Sequence, residues 1–576
     1  MKYPVRFLAL LLAGAATLLF AVSCATSAVL STPPATMTPT TFDVKAFGAT
    51  GDGKTLDTPA INKAIEAAAA VGGGTVEFPA GNYLCYSLHL KSHVALHLGV
   101  GSTIIAAEPS ADLAIGYDAP EPTAGPPHAD YWEDFGHSHW HNSLIWGEDL
   151  VDISITGPGK IFGYGLNRGN SVRRDLLPEE KAKPEKERPD VTLPQAARDA
   201  IAKNQPGPFG YPGRDTLPAG LGNKAIALKN CRNVIFRDFT IYHGGHFGIL
   251  ATAVDNWTCD NLKIDTNRDG IDFDCCQNVR VANCSVNSPN DDGICPKSSF
   301  ALGYNRPTEN VTITNCQVSG FDEGTFLDNT RRRRDERVFG NGPTGRIKCG
   351  TESNGGFRNI TISNCVFEYC RGLAFESVDG AQMEDITVTN LTMRDIVNAP
   401  IYIRLGSRLR GPDAKIGTAK RIKIDNVVAH NVAAQAGILL AGDPLAAIED
   451  VSLSNIFIDF EGGGTAQDAV REVPEYEASH RYPEPANLGK LSSWGLFGRH
   501  MKNLSVDHVE FRVAKDDLRS VVRLEDVADA NFDHAKLPHA AGAPTFALKD
   551  VTGFAITNSP GLADTRRAEK VADEKL

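Results

Sequence analysis

The chain has 576 residues, of which 42% are hydrophobic and 22% charged, and its 58 basic and 70 acidic side chains give a net charge of -12. A chain of this length and composition can bury a large core, so we expect a globular protein and not a disordered one. The acidic balance argues against nucleic acid as the main partner, because phosphate binding requires a basic surface.

The first 24 residues have the pattern of an export signal. Lys2 and Arg6 precede an apolar run at 7–22, which is short for a membrane span. The run ends in Ala-Val-Ser-Cys, which resembles a bacterial lipoprotein box with Cys24 as the lipidated residue; ordinary cleavage near this point is the alternative. We therefore expect export, as a periplasmic or outer-membrane lipoprotein or as a secreted protein. Residues 25–40, rich in Ser, Thr and Pro, are expected to be a flexible tether.

The next recognisable element is a helix that begins near residue 58. Thr58 is a suitable N-cap and Pro59 suits the first helical position. An apolar stripe from Ile61 to Ala68 follows, and three glycines at 72–74 end the helix. We expect this helix to cap the first coil of the fold that follows.

A short pattern then recurs along most of the chain: Asn or Asp, alternating apolar and polar residues, and a second Asn. The copies begin at Asn233, Asn256, Asn278, Asn310, Asn359, Asp385, Arg421, Asp450 and Asn503, with a weaker copy at Asp152. Period-two alternation rich in Val, Ile and Thr predicts short strands with one buried face. Each strand is expected to end at an Asn-containing turn.

The spacing of these copies predicts an all-β fold, a single right-handed parallel β-helix. Intervals of 22 and 23 residues in the tightest stretch fit successive coils of such a solenoid, and longer intervals fit inserted loops. We expect the β-helix to span 41–560 and a charged tail to occupy 561–576. A β-sandwich is the alternative, but the expected hairpin signals are mostly missing.

The chain has twelve cysteines, and lipidation of Cys24 would leave eleven, so at least one would be unpaired. Cys284, Cys316 and Cys365 recur in near-identical contexts, which is typical of small buried hydrophobic residues. The sequence has no CxxC metal knuckle. We expect neither a metal site nor a cofactor.

Two consecutive copies carry the acidic residues that point to chemistry. Asp269 precedes Asp291 and Asp292 by the interval that separates the strand copies at Asn256 and Asn278, so it should lie about 4.8 Å from the pair on the adjacent coil. Crowded like charges raise at least one pKa, so one carboxyl can hold a proton while the others act as bases. Glycoside hydrolysis needs this division, and inverting enzymes hold acid and base roughly 6.5–9.5 Å apart. A calcium site or polar turns are the alternatives.

The residues around these acids resemble a known family. The motif N-x-D-G-I-D at 267–272 and the motif D-D-G-I-x-x-K-S at 291–298 resemble the paired signatures of glycoside hydrolase family 28, the polygalacturonases and their relatives. The resemblance extends over nearly the whole chain after the tether. It implies that Asp291 is the general acid and that Asp269 and Asp292 deprotonate the attacking water, with inversion. It also implies substrate-binding roles for Lys297 and Tyr402.

Two departures from the family pattern concern the substrate. The family's Gly-His-Gly aligns with Thr344, Gly345 and Arg346, and its Arg-Ile-Lys clamp for the galacturonate carboxylate aligns with a segment in which Ala374 and Glu376 replace both cations. Either other cations replace the clamp, or the sugar at the cleavage point is neutral and Glu376 accepts its hydroxyl hydrogen bonds. Candidate replacement cations are Arg346, Lys348, Arg404 and the run Arg331–Arg334.

Further binding candidates are aromatic or imidazole side chains. His243 and His246 could replace the missing family histidine, and Trp140 is a candidate platform for sugar stacking. His137, His139 and His141 suit sugar binding or, less well, a metal. Long loops interrupt the repeat at 109–142, 173–217 and 321–345. Those at 109–142 and 321–345 could close one end of a cleft, which favours exo attack.

We therefore expect an exported hydrolase of a pectic or related plant polysaccharide, monomeric, with the N-terminal lipid anchor as its only membrane contact. A polysaccharide lyase and a noncatalytic carbohydrate-binding β-helix are the alternatives.

Overall fold

A computed structural model describes residues 40–121, 137–167, 219–333, 342–411, 414–435, 437–475 and 483–576. The predicted export signal at 1–24 with Cys24, the tether up to residue 39 and the predicted loop at 173–217 lie outside these residues. Among the residues described, no helix is long and apolar enough to cross a membrane.

The described chain winds into a β-helix whose coils present three faces, and neighbouring coils pair in parallel on each face. Face 1 contains the strands Thr41–Asp43, Gly74–Phe78, Val94–Leu98, Val151–Thr156, Arg232–Arg237, Asp255–Asp260, Gln277–Ala282 and Thr308–Thr314. Face 2 contains Asp52–Leu56, Gly81–Cys85, Ser102–Ala106, Lys160–Phe162, Thr240–Tyr242, Lys263–Asp265, Ser285–Asn287 and Gln317–Ser319. Face 3 contains Leu88–His89, Ser143–Glu148, Lys224–Lys229, Phe247–Thr252, Asp269–Asp274, Ile294–Lys297, Lys348–Cys349, Leu373–Ser377, Ile401–Leu405 and Ile438–Ala441.

Later coils merge faces into long bent strands. These strands are Phe357–Glu368, Gln382–Arg394, Thr418–Val432, Ile448–Gly462, Ser493–Lys515, Ser520–Asp533 and Phe546–Thr557. The inward side chains of all coils form one continuous apolar core, because alternate residues of each strand point into the solenoid. The predicted parallel β-helix is confirmed.

The Asn residues of the repeat lie at the bends between faces and not only at strand ends. In seven copies a second Asn forms a ladder between face 1 and face 2, at Asn261, Asn283, Asn315, Asn364, Asn390, Asn426 and Asn455, each with φ between 52° and 58°. Asn tolerates this left-handed backbone better than most residues. Its side chain also links the coils, since Asn390 donates to Asn364 at 2.9 Å and Asn426 donates to Asn390 at 2.6 Å.

The capping helix spans Thr58–Ala70 and buries Ile61, Ala64, Ile65 and Ala68, as the sequence predicts. Its start differs by one residue: the N-cap is Asp57, and Thr58 is the first helical residue. The Asp57 carboxylate does not cap the helix but accepts hydrogen bonds from the backbone N–H groups of Thr50 and Gly51, at 2.7 and 3.0 Å. Further short helical segments span Val44–Phe47, Ala466–Ala469 and Pro485–Leu488.

The C-terminal segment, predicted as a charged tail, instead forms two strands. Thr565–Arg567 and Val571–Lys575 both pair antiparallel with the last long strand, Phe546–Thr557. The many charged residues of this segment made it resemble a solvated tail in the sequence. The pairing covers the edge of the last parallel coil.

The eleven cysteines after Cys24 are all buried, and none of them is in a disulfide. Cys284, Cys316 and Cys365 stack on successive coils, where their register places them opposite one another and inside the core. The interpretation of these residues as small buried hydrophobes agrees with this placement.

Candidate active site

The three predicted catalytic carboxylates lie at the start of two adjacent strands of face 3. Ile271 pairs with Ile294, so Asp269 lies opposite Asp292, and Asp291 precedes this position by one residue. The prediction that Asp269 and Asp291 share a register position is therefore wrong by one residue. The turn before Ile294 contains one residue more than the corresponding turn of the preceding coil.

The carboxylates nevertheless converge. One oxygen from each of Asp269, Asp291 and Asp292 lies within 4.8 Å of the other two. Asp269 and Asp292 are 2% and 0% exposed, whereas the Asp291 side chain is 19% exposed. The oxygens are closer than the roughly 6.5–9.5 Å between carboxyl groups that typifies inverting glycosidases, so this spacing alone does not favour inversion.

Two cations from the next coil neutralise Asp292. The Arg346 guanidinium donates to Asp292 Oδ1 at 2.8 Å, and the Lys348 ammonium contacts Oδ2. Burial raises the pKa of a carboxyl, but here the nearby charges of Lys348 and Arg346 outweigh it and hold the pKa of Asp292 below its usual value. Asp292 is therefore kept ionised, as a base must be.

Asp269 has the opposite environment. Its neighbour on the preceding coil is Phe247, and no hydrogen-bond partner reaches its Oδ1 among the residues described. Burial, and then the charges of Asp272 and Asp291, raise the pKa of Asp269 well above its usual value. The cluster therefore contains one carboxyl that favours its protonated form beside one that favours its ionised form.

Asp291 lies at the solvent side of the cluster. The guanidinium of Arg268 donates to its Oδ2 at 2.5 Å, and the Arg268 side chain is 31% exposed. Arg268 was not predicted as a site residue, although it lies inside the N-x-D-G motif at 267–270. It is the variable position of that motif, so its importance followed only from the fold.

Beyond Asp292 the ion pairs continue away from the pocket. Arg346 Nη2 lies 3.6 Å from Glu376 and 3.4 Å from Glu484. Glu376 also accepts a hydrogen bond from the Thr351 hydroxyl at 2.7 Å, and burial raises its pKa. Three carboxylates thus surround Arg346, which is itself 2% exposed. Glu484 comes from a segment outside the repeats, and no sequence signal associates it with Asp292.

Lys297 is also near the cluster and buried. Its ammonium lies 3.0 Å from Glu352 and 3.7 Å from Asp272. His137 Nε2 lies 3.5 Å from the same Asp272 carboxylate. The predicted binding residue Lys297 therefore contacts two carboxylates beside the catalytic cluster.

The remaining predicted binding residues contact groups other than the three carboxylates. His243 pairs with Glu323 at 2.9 Å in the turn before face 3, and the buried His246 ring packs against Phe247. Arg404 donates to the carbonyl oxygen of Gly442 at 2.9 Å.

Two aromatic predictions differ from the structure. Trp140 is 1% exposed and donates from Nε1 to the Thr252 hydroxyl at 2.9 Å, so it offers no free face on which a sugar could stack. Tyr402 is 3% exposed and packs in an apolar cluster with Ala374, Leu439 and Phe497. Both residues help to form the walls of the site instead of lining a cleft.

Trp140 and Tyr402 belong to two apolar clusters that cover the outer side of face 3, one on the coils before the carboxylates and one on the coils after them. The outward residues of the preceding coils, Ala227 and Leu250, are fully buried in a cluster with Trp140. On the following coils, the cluster around Tyr402 is completed by Val473, Leu488 and Leu491. The outer side of face 3 is thus covered before and after the carboxylates, and the cluster is most exposed at Asp291 and Arg268.

The donor set of the cluster also bears on metal binding. Three carboxylates are suitable ligands for a hard cation such as Ca2+. The Asp292 carboxylate, however, already contacts two cationic side chains with its two oxygens. The charge that would attract a cation is therefore largely neutralised by the protein itself.

Comparisons with known proteins support the fold described above. Residues 41–108 match the family described as rhamnogalacturonase A/epimerase, pectate lyase-like, and residues 219–333 match the right-handed β-helix region. An exo-poly-α-D-galacturonosidase of Dickeya chrysanthemi is 29% identical over 309 residues, which cover 49% of this chain and 46% of the relative. The chain thus spans about half the length of this curated relative.

Two solved structures have the same fold. The family 28 exopolygalacturonase of Yersinia enterocolitica aligns with a TM-score of 0.55 and 19% identity, over 91% of this chain and 79% of that protein. The exopolygalacturonase of Thermotoga maritima aligns with a TM-score of 0.52 and 18% identity, over 81% of this chain and 92% of that protein.

Proposed function

Because the chain is a family 28-like β-helix protein, we propose that it hydrolyses glycosidic bonds of a pectic or related plant polysaccharide at the Asp269, Asp291 and Asp292 cluster. The observation that carries the proposal is the convergence of the three carboxylates within 4.8 Å, with the pKa of Asp292 held low by Lys348 and Arg346 so that it can act as a base. Glycoside hydrolysis needs an ionised base and a protonated acid side by side. The reaction needs no cofactor.

In the proposed mechanism, Asp292 accepts a proton from the attacking water and Asp269 helps to hold that water. Asp291 is the most exposed of the three and delivers a proton to the leaving oxygen, so Arg268 must move from Asp291 when substrate binds. The stereochemical outcome proposed is inversion. NMR observation of the first anomer formed tests this, and an initial product of retained configuration would contradict it.

The site supports exo attack, because a polymer lying along face 3 would be blocked on both sides of the carboxylates by the apolar clusters around Trp140 and Tyr402. Only a chain end could enter beside Asp291. The expected products are short saccharides released from the first moments of reaction, with a slow fall in polymer size. Chromatography of early products would contradict exo action if it showed a broad series of oligosaccharides.

We propose further that the sugar bound at the cleavage point is neutral. Arg346 and Lys348 contact carboxylates of the protein, and Arg404 contacts backbone carbonyl oxygens, so these cations are engaged. A second candidate, a uronic acid, is favoured by the relative named exo-poly-α-D-galacturonosidase and by the half-exposed Arg268.

One experiment tests activity and substrate together. The protein is incubated with matched oligosaccharides that end in galacturonate or in a neutral pectic sugar such as rhamnose, and reducing ends are measured beside ultraviolet absorbance. We expect reducing ends without an unsaturated product, faster with the neutral end. Ultraviolet-absorbing products would indicate a lyase, and binding without any cleavage would indicate a noncatalytic carbohydrate-binding protein.

We also propose that the protein is exported and lipidated at Cys24. The support is the sequence of the first 24 residues alone. Metabolic labelling with a fatty acid should mark the wild-type protein and not Cys24→Ala. Equal labelling of both would contradict lipidation at this residue.

A further inference from the structure

On two consecutive coils near the C-terminal end, histidine interrupts the Asn ladder. His508 and His534 occupy the ladder positions that Asn455 and Asn558 hold on the coils before and after them. Both histidines keep the left-handed backbone, with φ of 49°. Their rings are nearly parallel, with centroids 4.5 Å apart and an interplanar angle of 7°.

Each imidazole is oriented by the carboxylate that precedes it in sequence. His508 Nδ1 lies 2.9 Å from Asp507, and His534 Nδ1 lies 2.9 Å from Asp533. Carboxylate–imidazole pairs of this kind orient histidines that bind metals. One ring nitrogen of each histidine and one carboxylate oxygen of Asp507 lie within 4.8 Å of one another.

We propose that Asp507, His508 and His534 bind one divalent transition metal ion of the Zn2+ type, which links the two coils. Two imidazole nitrogens and one carboxylate oxygen suit zinc or copper better than calcium or magnesium, which prefer oxygen ligands alone. Zinc–nitrogen bonds are about 2.0–2.1 Å long, so the donor atoms, now within 4.8 Å of one another, must turn toward a common ion. The His508 and His534 side chains are 55% and 46% exposed, so they have room to rotate.

The bound ion would replace a link between coils that the Asn ladder makes elsewhere. On other coils the Asn side chains donate hydrogen bonds from one coil to the next, as Asn390 does to Asn364. Stacked imidazoles make no such link to each other, because each ring contacts its own preceding carboxylate. A bound ion would restore a coil-to-coil connection at the point where the amide ladder is interrupted.

The site is independent of the proposed hydrolase function. It lies at the bend between face 1 and face 2, whereas the catalytic cluster lies on face 3. None of its three ligands belongs to the catalytic cluster or its ion pairs, so metal binding can be measured whether or not the protein cleaves a glycan.

The test is calorimetric titration of the full-length protein with zinc chloride, with calcium chloride as the contrasting ion. We expect one equivalent of zinc to bind with micromolar affinity and to raise the unfolding temperature, and calcium to do neither. The double variant His508→Asn/His534→Asn restores the ladder residue at both positions, so it should fold and should lose at least about tenfold in zinc affinity.

A matched control is His430→Asn, since His430 pairs with Asp459 at 2.9 Å on another coil without a stacked partner. This variant should bind zinc as the wild-type protein does. The proposal is overturned if the wild-type protein binds no zinc, or if the double variant binds it with unchanged affinity. Loss of zinc binding in Asp292→Asn would also overturn it, because the ion would then lie in the carboxylate pocket.

Discussion

The bend between face 1 and face 2 and the outer side of face 3 belong to the same coils, yet they use polar side chains in opposite ways. At the bend, successive coils repeat Asn in the same left-handed conformation and make the same exposed contact. On face 3, one register position is occupied in turn by Lys224, Phe247 and Asp269. The backbone conformation determines the residue at the bend, whereas the chemistry of the pocket determines it on face 3.

This comparison predicts that substitutions on face 3 change activity most and that ladder substitutions change only stability. The largest expected effect is that of Asp292→Asn, which removes the proposed base and should lower kcat/KM by about a hundred- to ten-thousand-fold. The matched control is Asp385→Asn, which places at a bend the residue that most coils use there. Equal activity of the two variants would contradict the assignment of Asp292.

The next effect concerns the buried cation that pairs with Asp292. Arg346→Met leaves Asp292, Glu376 and Glu484 without this partner, and loss of one member of a buried pair costs about 3–5 kcal/mol. Urea unfolding measures the loss. Arg421→Met, at an exposed bend where Arg421 contacts Asp385 and Glu384, should change stability little. A similar loss of unfolding free energy in both variants would mean that the buried ion pairs of Arg346 stabilise the fold no more than exposed ones do.

A smaller effect is expected in the pH profile. Lys348 helps to hold the pKa of Asp292 below its usual value, so the base stays ionised, and activity persists, as the pH falls. In Lys348→Met that pKa should rise, and the acidic limb of kcat/KM should move to higher pH. Lys420→Met, which removes a surface cation near Glu384, serves as the control and should leave the limb in place. An unmoved limb in both variants would contradict the role of Lys348.

The smallest effect is expected within the ladder. Asn390→Ala removes hydrogen bonds to two coils and places a β-carbon in the left-handed region, which together should cost about 1–2 kcal/mol. Asn390→Gly removes only the hydrogen bonds and should cost less. Activity should be unchanged in both. If glycine costs as much as alanine, the backbone conformation is not what selects Asn at the bend.

The same comparison explains how much the sequence could predict. The repeat revealed the coils, the faces and the convergence of Asp269 with Asp291 and Asp292, because the bends impose one residue type at one interval. It could not reveal the extra residue before Ile294, since turns between faces tolerate insertions without loss of the alternating pattern.

The sequence could not predict ion pairs between distant segments either. Arg346 was interpreted as a possible cation for the substrate, and its three carboxylate partners come from separate segments, including Glu484 outside the repeats. Trp140 was expected to face a sugar, but aromatic residues that cover a face and those that line a cleft have the same sequence signature. Burial by a distant segment distinguishes them, and only the fold supplies that information.

The antiparallel strands Thr565–Arg567 and Val571–Lys575 have a consequence for the behaviour of the protein in concentrated solution. A parallel solenoid that ended at Phe546–Thr557 would present a complete row of unpaired backbone groups, onto which another molecule could add end to end. The reversed strands replace that row with a short edge bearing Asp573, Glu574 and Lys575. These two strands therefore cover the edge at which the parallel pairing of the solenoid could otherwise continue into another molecule.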